Sequence, residues 1–197
     1  AGTLTLTGHH DVSQLYIGRF EAVGLWNPVE DGGTLRLQDG ATLNAGYLNM
    51  DRVRTRVALD LAGAGTSAVF QNSALIGGTG SQVEVRVRDG ARLENGLAVV
   101  GNLIDSQASV MVSGNGSLWR SNGDVHIGGS GQTGNGSLRV ESGGRVESGR
   151  VRMGYGSTAI GDVVVTGAGS RWETQGEIRL GESGTGTLLI DDGAVVT

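Results

Sequence analysis

Acidic residues that could act together in catalysis are scarce in this sequence. Asp191 and Asp192 form one adjacent pair, and paired carboxylates are the chemistry that glycoside hydrolases use. The pair precedes a glycine, as Asp39 and Asp89 also do, and Asp-Gly is a common turn sequence. Turn formation therefore accounts for the pair. The sequence contains no lysine, which excludes a lysine-assisted lyase site. We predict that the chain is not an enzyme.

Residues that could bind a metal ion are equally few. His9, His10 and Asp11 are adjacent and could hold a metal weakly, although we expect them to form an exposed corner near the start of the fold. The segments GGSGQTGNGS and GESGTGT resemble calcium-binding nonapeptide repeats, but Gln, Thr or Ser stand where those repeats need aspartate. Cysteine is absent, so a thiolate site is excluded. We predict no metal and no cofactor, and a melting temperature that a chelator leaves unchanged.

Two tryptophans could serve as stacking platforms for sugars. Trp119 and Trp172 occur 53 residues apart in matching sequences, VMVSGNGSLWRSNGDVHIGGSG and VVVTGAGSRWETQGEIRLGESG. Large aromatic side chains at repeated positions more often fill a core. We therefore expect both indoles to be buried, with a loss of about 3–5 kcal/mol for Trp172→Ala.

Two further features could bind a partner. Arginine alternates with glutamate along several segments, as at Glu84 and Arg86, which predicts either a solvated face of alternating charge or an arginine-lined groove for an acidic polysaccharide. Residues 19–33 interrupt the repeat and contain Phe20, Leu25 and Trp26 together with the only proline. This loop is the candidate interaction site, the alternative being a flap over the side or end of the fold.

Composition restricts the class of protein. The 197 residues include 37 glycines and one proline, and the glycines separate short runs of Val, Leu and Ile, which indicates many short strands and tight turns. The net charge of −5 and the lack of a basic run give no support to nucleic-acid binding. No apolar stretch approaches the ~18 residues of a membrane-spanning helix.

An alternating apolar pair recurs along the whole chain and sets its period. Its second members lie 31, 24, 26, 25, 28, 25 and 25 residues apart. A period of this length is typical of a solenoid. Two further apolar rows follow in each repeat. In the repeat that contains Trp119, the three rows begin at Val110, Trp119 and Val125.

Three short strands per repeat, separated by glycine corners, predict one all-β domain over residues 1–197. We expect a single-stranded right-handed parallel β-helix of about seven coils of roughly 25 residues, each strand pairing with its equivalent in the next coil. The three rows should form three parallel sheets. One buried ladder should contain Val87, Val112, Val140, Val165 and Ile190.

The repeat resembles that of the passenger domains of type V secretion autotransporters and of some exosortase-sorted surface proteins. The resemblance is carried by GNGSLWRSNGDVHIGGSGQTGNGSLRVESGGRVESG, residues 114–149, and by GAGSRWETQGEIRLGESGTGTLLIDDGA, residues 167–194. It is looser over residues 33–107, where Trp gives way to Leu or Phe70. It implies a β-helical rod at the bacterial cell surface, followed in the complete protein by a membrane barrel outside these residues.

These observations together favour a secreted, non-enzymatic surface segment that acts in adhesion or cell–cell association. Its partners would be host or bacterial surface molecules or further copies of itself. The alternatives are a structural spacer and a polysaccharide-degrading β-helix enzyme. Because neither end carries a polar cap, we expect the segment to be part of a longer rod.

Overall fold

The part of the chain that the structure describes contains strands joined by turns and no helix. The computed structural model describes residues 2–17, 32–51, 53–129 and 133–197. Successive strands wind into a solenoid in which every recorded pairing is parallel and joins one coil to the next. The predicted parallel β-helix is confirmed, while its right-handed winding stays a prediction.

Sheet A holds one strand from each coil. Its members are β1 (Gly2–Leu6), β3 (Gly33–Leu37), β5 (Arg56–Ala62), β7 (Gln82–Arg88), β9 (Gln107–Ser113), β12 (Asn135–Glu141), β15 (Ile160–Thr166) and β18 (Thr185–Asp191). These eight strands define seven intervals, and the first interval contains residues 18–31, which lie outside the described residues. About six turns are therefore described, against the seven predicted coils.

Sheet B contains the remaining described strands. They are β2 (His9–Tyr16), β4 (Thr42–Met50), β6 (Ser67–Ile76), β8 (Arg92–Val100), β10 (Leu118–Ser121), β11 (Val125–Ile127), β13 (Arg145–Ser148), β14 (Val151–Met153), β16 (Arg171–Thr174), β17 (Ile178–Leu180) and β19 (Val195–Val196).

The prediction of three separate sheets is wrong for the second and third rows. Strand β8 pairs with both β10 and β11, so the two rows belong to one sheet. The strand continues across the bend at Gly96, where an added Cβ would lie 2.0 Å from the carbonyl oxygen of Asn72. In the next coil Gly123 donates its amide to the Gly96 carbonyl at 2.9 Å, and the strand is interrupted there. Glycine permits the close stacking of this bend in successive coils.

The predicted ladder of inward side chains is confirmed. Val87 pairs in register with Val112, then Val140, Val165 and Ile190. The four valines are fully buried, whereas Ile190, on the last strand of sheet A, is 46% exposed. Each inward residue therefore packs against its equivalents in the coils before and after it, which is why a valine or isoleucine recurs at this position.

Both tryptophans lie in the core, as predicted. Trp119 and Trp172 have no exposed surface. The register places Ala68, not Phe70, in the row that contains them, because Ala68 pairs with Leu93 and Leu93 with Trp119. Phe70 lies two residues further along β6 and points inward as well, and it is fully buried. In that coil the large core side chain is therefore Phe70, at the next inward position after Ala68.

Candidate functional site

A groove runs along the outer surface of sheet A, parallel to the axis of the solenoid. It encloses about 830 Å³ and crosses seven strands, from β1 to β15. The strands of a sheet lie about 4.8 Å apart, so its length is about 29 Å. We call this surface the axial groove. Its members are Gly2, Thr3, Gly33, Thr34, Arg56, Val57, Ala58, Gln82, Val83, Glu84, Arg86, Gln107, Ala108, Ser109, Asn135, Gly136, Ser137, Ile160 and Asp162.

The floor of the axial groove is low because small side chains occupy one outward row. Thr34, Ala58, Ser109 and Ser137 belong to this row, whose residues pair in register from coil to coil. Only Glu84 interrupts it between Ala58 and Ser109. Small residues on the strands to either side of Glu84 leave a depression, whereas one long side chain per coil would fill it.

One wall of the axial groove is a ladder of long polar side chains. Arg56, Gln82, Gln107 and Asn135 pair in register at the start of their strands. The Arg56 Nε donates a hydrogen bond to Gln82 Oε1 at 2.9 Å. Side-chain amides both donate and accept, so the wall offers repeated hydrogen-bonding groups at the spacing of the strands.

The carboxylates that line the axial groove are too far apart for paired catalysis. Glu84 and Asp162 occupy the same row, but Ser109 and Ser137 lie between them. Three strand spacings separate them by about 14 Å, whereas the carboxyl groups of glycoside hydrolases lie within roughly 5–9.5 Å of each other. Glu84 also forms an ion pair with Arg86, whose Nη2 lies 2.5 Å from Glu84 Oε2. No two carboxylates of the described lining therefore have the spacing of such an acid and base.

A buried carboxylate that the sequence analysis missed binds two arginines of neighbouring coils on sheet A. Asp60 is 2% exposed and accepts hydrogen bonds from Arg36 Nε at 3.0 Å and Arg88 Nε at 3.1 Å. Burial raises the pKa of Asp60, but the hydrogen bonds and charges of the two arginines outweigh it and hold the pKa below its ordinary value. Alternating charges therefore join three coils, as the sequence predicts for its arginine and glutamate rows.

His126 lies on strand β11 of sheet B and is partly buried. Its ring centroid is 5.8 Å from that of Tyr155, and the Arg152 guanidinium lies 4.9 Å from the centre of the same tyrosine ring. Its Nδ1 has no hydrogen-bond partner among the described residues. Burial is the main cause that lowers the pKa of His126, and the charge of Arg152 adds to it. The neutral form is therefore favoured in the folded chain.

The histidines and aspartate near the start of the chain lie in a strand rather than at the predicted corner. His9, His10 and Asp11 begin β2, where the strand pairs with β4. His9 Nε2 is 2.8 Å from Asp11 Oδ2, and Asp11 also accepts a hydrogen bond from Asn44 at 3.0 Å. The hydrogen bond from Asn44, followed by that with His9, lowers the pKa of Asp11. These groups join the first two coils of sheet B.

The other sequence-predicted sites have different outcomes. Buried indoles cannot stack on a sugar, so Trp119 and Trp172 are not binding platforms. Asp192 and Gly193 have φ angles of 51° and 77°, which confirms a turn at the Asp191–Asp192 pair. Phe20, Leu25 and Trp26 lie outside the described residues, and so does the rest of the loop apart from Gly32 and Gly33.

No group of three or more potential metal ligands occurs among the described residues. The absence of a metal stays a prediction that a chelator can test. No helix with the length and apolar character of a membrane span occurs in the described ranges either.

The geometry defines a parallel β-helix with an axial groove. Comparison of the chain with protein-family models, curated proteins and solved structures gave no match.

Proposed function

We propose that this chain is a non-enzymatic interaction segment of a bacterial cell-surface rod, acting in adhesion or cell–cell association. The axial groove is the observation that carries the proposal. Its ladder of long polar side chains repeats on four successive strands, over about 14 Å of a groove about 29 Å long. A long partner could therefore make many weak contacts at once, which favours attachment over turnover.

The balanced charge of the axial groove supports a partner that is held by hydrogen bonds. Two arginines, Arg56 and Arg86, are balanced by Glu84 and Asp162. The distance between the two carboxylates disfavours the enzyme alternative. The resemblance of the repeat to displayed passenger domains supports a location at the cell surface and a role in attachment.

The axial groove allows a matched test on a single strand. Ser109 and Ser113 both lie on the outer side of β9, but only Ser109 lines the groove. Ser109→Tyr would fill the floor, whereas Ser113→Tyr makes the same change outside it. We expect bacteria that display the chain to attach to cells or to one another, and we expect Ser109→Tyr to reduce attachment several-fold while Ser113→Tyr does not.

Three results would contradict this function. Attachment equal to that of bacteria without the chain would reduce the segment to a spacer. Equal attachment by both tyrosine variants and the unmodified chain would remove the groove from the function, and shortening residues 19–31 would then test the loop that contains Trp26. Release of reducing ends from a polysaccharide by the purified chain would establish the enzyme alternative.

A further inference from the structure

A second groove lies on a different part of the surface, at the corner that leads from sheet A into sheet B. It encloses about 440 Å³. We call it the corner groove. It is lined by Arg92, Gly116, Ser117, Leu118, Gly143, Arg145, Gly169 and Arg171.

Stacked glycines make this corner concave. Gly116, Gly143 and Gly169 have φ angles of 84°, 82° and 84°, a conformation that other residues rarely adopt. A Cβ added to Gly169 would lie 3.6 Å from the Cα of Gly143, so successive corners are in close contact. The corner therefore has no side chains in this row, and the residues that follow it border an open channel.

Three arginines line the corner groove along the axis of the solenoid. The register runs from Arg92 to Leu118, Arg145 and Arg171. Arg92 and Arg145 are two strand spacings apart, about 10 Å, and Arg145 and Arg171 are one spacing apart, about 5 Å. Leu118 occupies the position between the first two arginines and is only 8% exposed.

The described lining of the corner groove contains three guanidinium groups and no carboxylate. Arg145 Nη2 donates to Glu173 at 2.7 Å and to Glu147 at 2.9 Å, and Arg171 Nη1 donates to Glu173 at 3.3 Å. An arginine has five N–H donors, so both retain donors for a ligand. Arg92 has no side-chain partner among the described residues. The whole chain has a net charge of −5, so a lining with three arginines and no carboxylate is a local feature.

We infer that the corner groove binds an acidic polysaccharide through Arg92, Arg145 and Arg171. A single small anion cannot reach arginines spread over about 14 Å, whereas a polymer with regularly placed sulfate or carboxylate groups can. No aromatic side chain lies in the described lining, so the bases of a single-stranded nucleic acid would have no surface on which to stack. The groove also offers no free strand edge to pair with an acidic peptide.

This site is independent of the axial groove and of attachment through it. Its test is the binding of the purified 197-residue chain to immobilised heparin, polygalacturonate and dextran, with single-stranded DNA as a further probe, at about 50 and 150 mM salt. We expect binding to heparin, to polygalacturonate or to both, weaker at the higher salt concentration, and no binding to dextran.

Substitutions identify the groove that is responsible. Arg92→Gln should weaken binding by about 2- to 5-fold, as the loss of one exposed charged contact does. The triple variant, which combines Arg92→Gln with Arg145→Gln and Arg171→Gln, should abolish binding to the acidic polymers. Arg139→Gln is the control for the loss of one positive charge outside the grooves, because Arg139 is an exposed arginine of sheet A, paired with Glu141, that lines neither groove. Arg92 has no side-chain partner to lose, so Arg92→Gln should fold normally, as circular dichroism can verify.

Several outcomes would overturn the inference. One is no binding to either acidic polymer at low salt. Another is an equal loss of affinity in Arg92→Gln and Arg139→Gln, which would indicate general electrostatic attraction. DNA binding as tight as that of the acidic polysaccharides, with the same dependence on Arg92, would make the groove a nonspecific polyanion site.

Discussion

Trp119 combines complete burial with a buried hydrogen bond, so its replacement tests the core in two separate ways. Its Nε1 donates to Asn95 Oδ1 at 2.7 Å, and Asn95 Nδ2 donates to Ser121 Oγ at 3.0 Å. Trp119→Ala leaves a cavity, for which the expected loss of unfolding free energy is about 3–5 kcal/mol. Trp119→Phe retains most of the apolar contact but leaves Asn95 Oδ1 buried without a donor, at a cost of about 1–3 kcal/mol.

Trp172 provides the matched comparison. Its Nε1 donates to Ser148 Oγ at 3.0 Å, and Ser148 also donates to the carbonyl of Gly149 at 3.3 Å. A hydroxyl can rotate and it solvates more easily than an orphaned amide oxygen, so Trp172→Phe should cost less than Trp119→Phe. Trp172→Ala should still cost about 3–5 kcal/mol, because the side chain is equally buried.

The assay is denaturant unfolding followed by far-ultraviolet circular dichroism, since each tryptophan substitution removes one of the three tryptophans and so changes the fluorescence signal itself. Solenoids need not unfold in one step, so midpoints should be compared together with the shape of each transition. The double variant Trp119→Phe with Asn95→Ala should lose less than the sum of the single losses, because both partners of the hydrogen bond are then absent. A loss below about 1 kcal/mol for Trp119→Ala would refute the packing. Equal losses for the two phenylalanine variants would refute the role of Asn95.

Three further predictions concern groups that join successive coils. The pKa of Asp60 lies below its ordinary value, so its contribution is present above about pH 4 and is lost as the pH falls through the folded-state pKa. Asp60→Asn should reduce stability by about 1–2 kcal/mol near pH 7 and reduce its dependence on pH in acid unfolding curves. The pKa of His126 is also lowered, so below about pH 6.5 the unfolded chain binds the proton more tightly than the folded chain. The stability contributed by neutral His126 should therefore be fully present above about pH 7 and decline as the pH falls below about 6.5. Melting temperatures at pH 5 and pH 8 should differ less in His126→Gln than in the unmodified chain. Gly101→Ala should lower the melting temperature far more than Gly40→Ala, because both have positive φ but only the Cβ at Gly101 would meet backbone, 2.6 Å from Asn135 C.

Each of these predictions has a contradicting result. Unchanged acid unfolding in Asp60→Asn would mean that the arginines do not hold the carboxylate in its charged form. An unchanged difference between pH 5 and pH 8 in His126→Gln would assign the pH dependence to other groups. Equal melting temperatures for the two glycine variants would show that the close approach of neighbouring coils at Gly101 relaxes without cost.

The repeat was sufficient to predict the solenoid and its inward ladders. Val112 and Val140 are equivalent in sequence and also adjacent in space, because each coil packs on copies of itself. Residues one period apart in the sequence are therefore in contact in the fold. The prediction was less accurate at the bend through Gly96, since the alternation of apolar residues does not reveal whether a strand continues across a glycine. Phe70 was also placed in the row of the tryptophans, which Ala68 occupies in the structure. A small residue such as alanine gives no sign in the sequence that it belongs to that row.

The sequence by itself determined the all-β class, the parallel stacking and the burial of Trp119 and Trp172, since these depend on spacing along the chain. Only the tertiary structure decided where the grooves lie and what surrounds Asp60. A groove forms where outward side chains of several coils are small in the same register, as at Ser109 and Ser137. The depth of such a groove depends on the heights of neighbouring rows, and the burial of Asp60 depends on arginines 24 and 28 residues away. These are relations between coils, and no single segment of the sequence contains them.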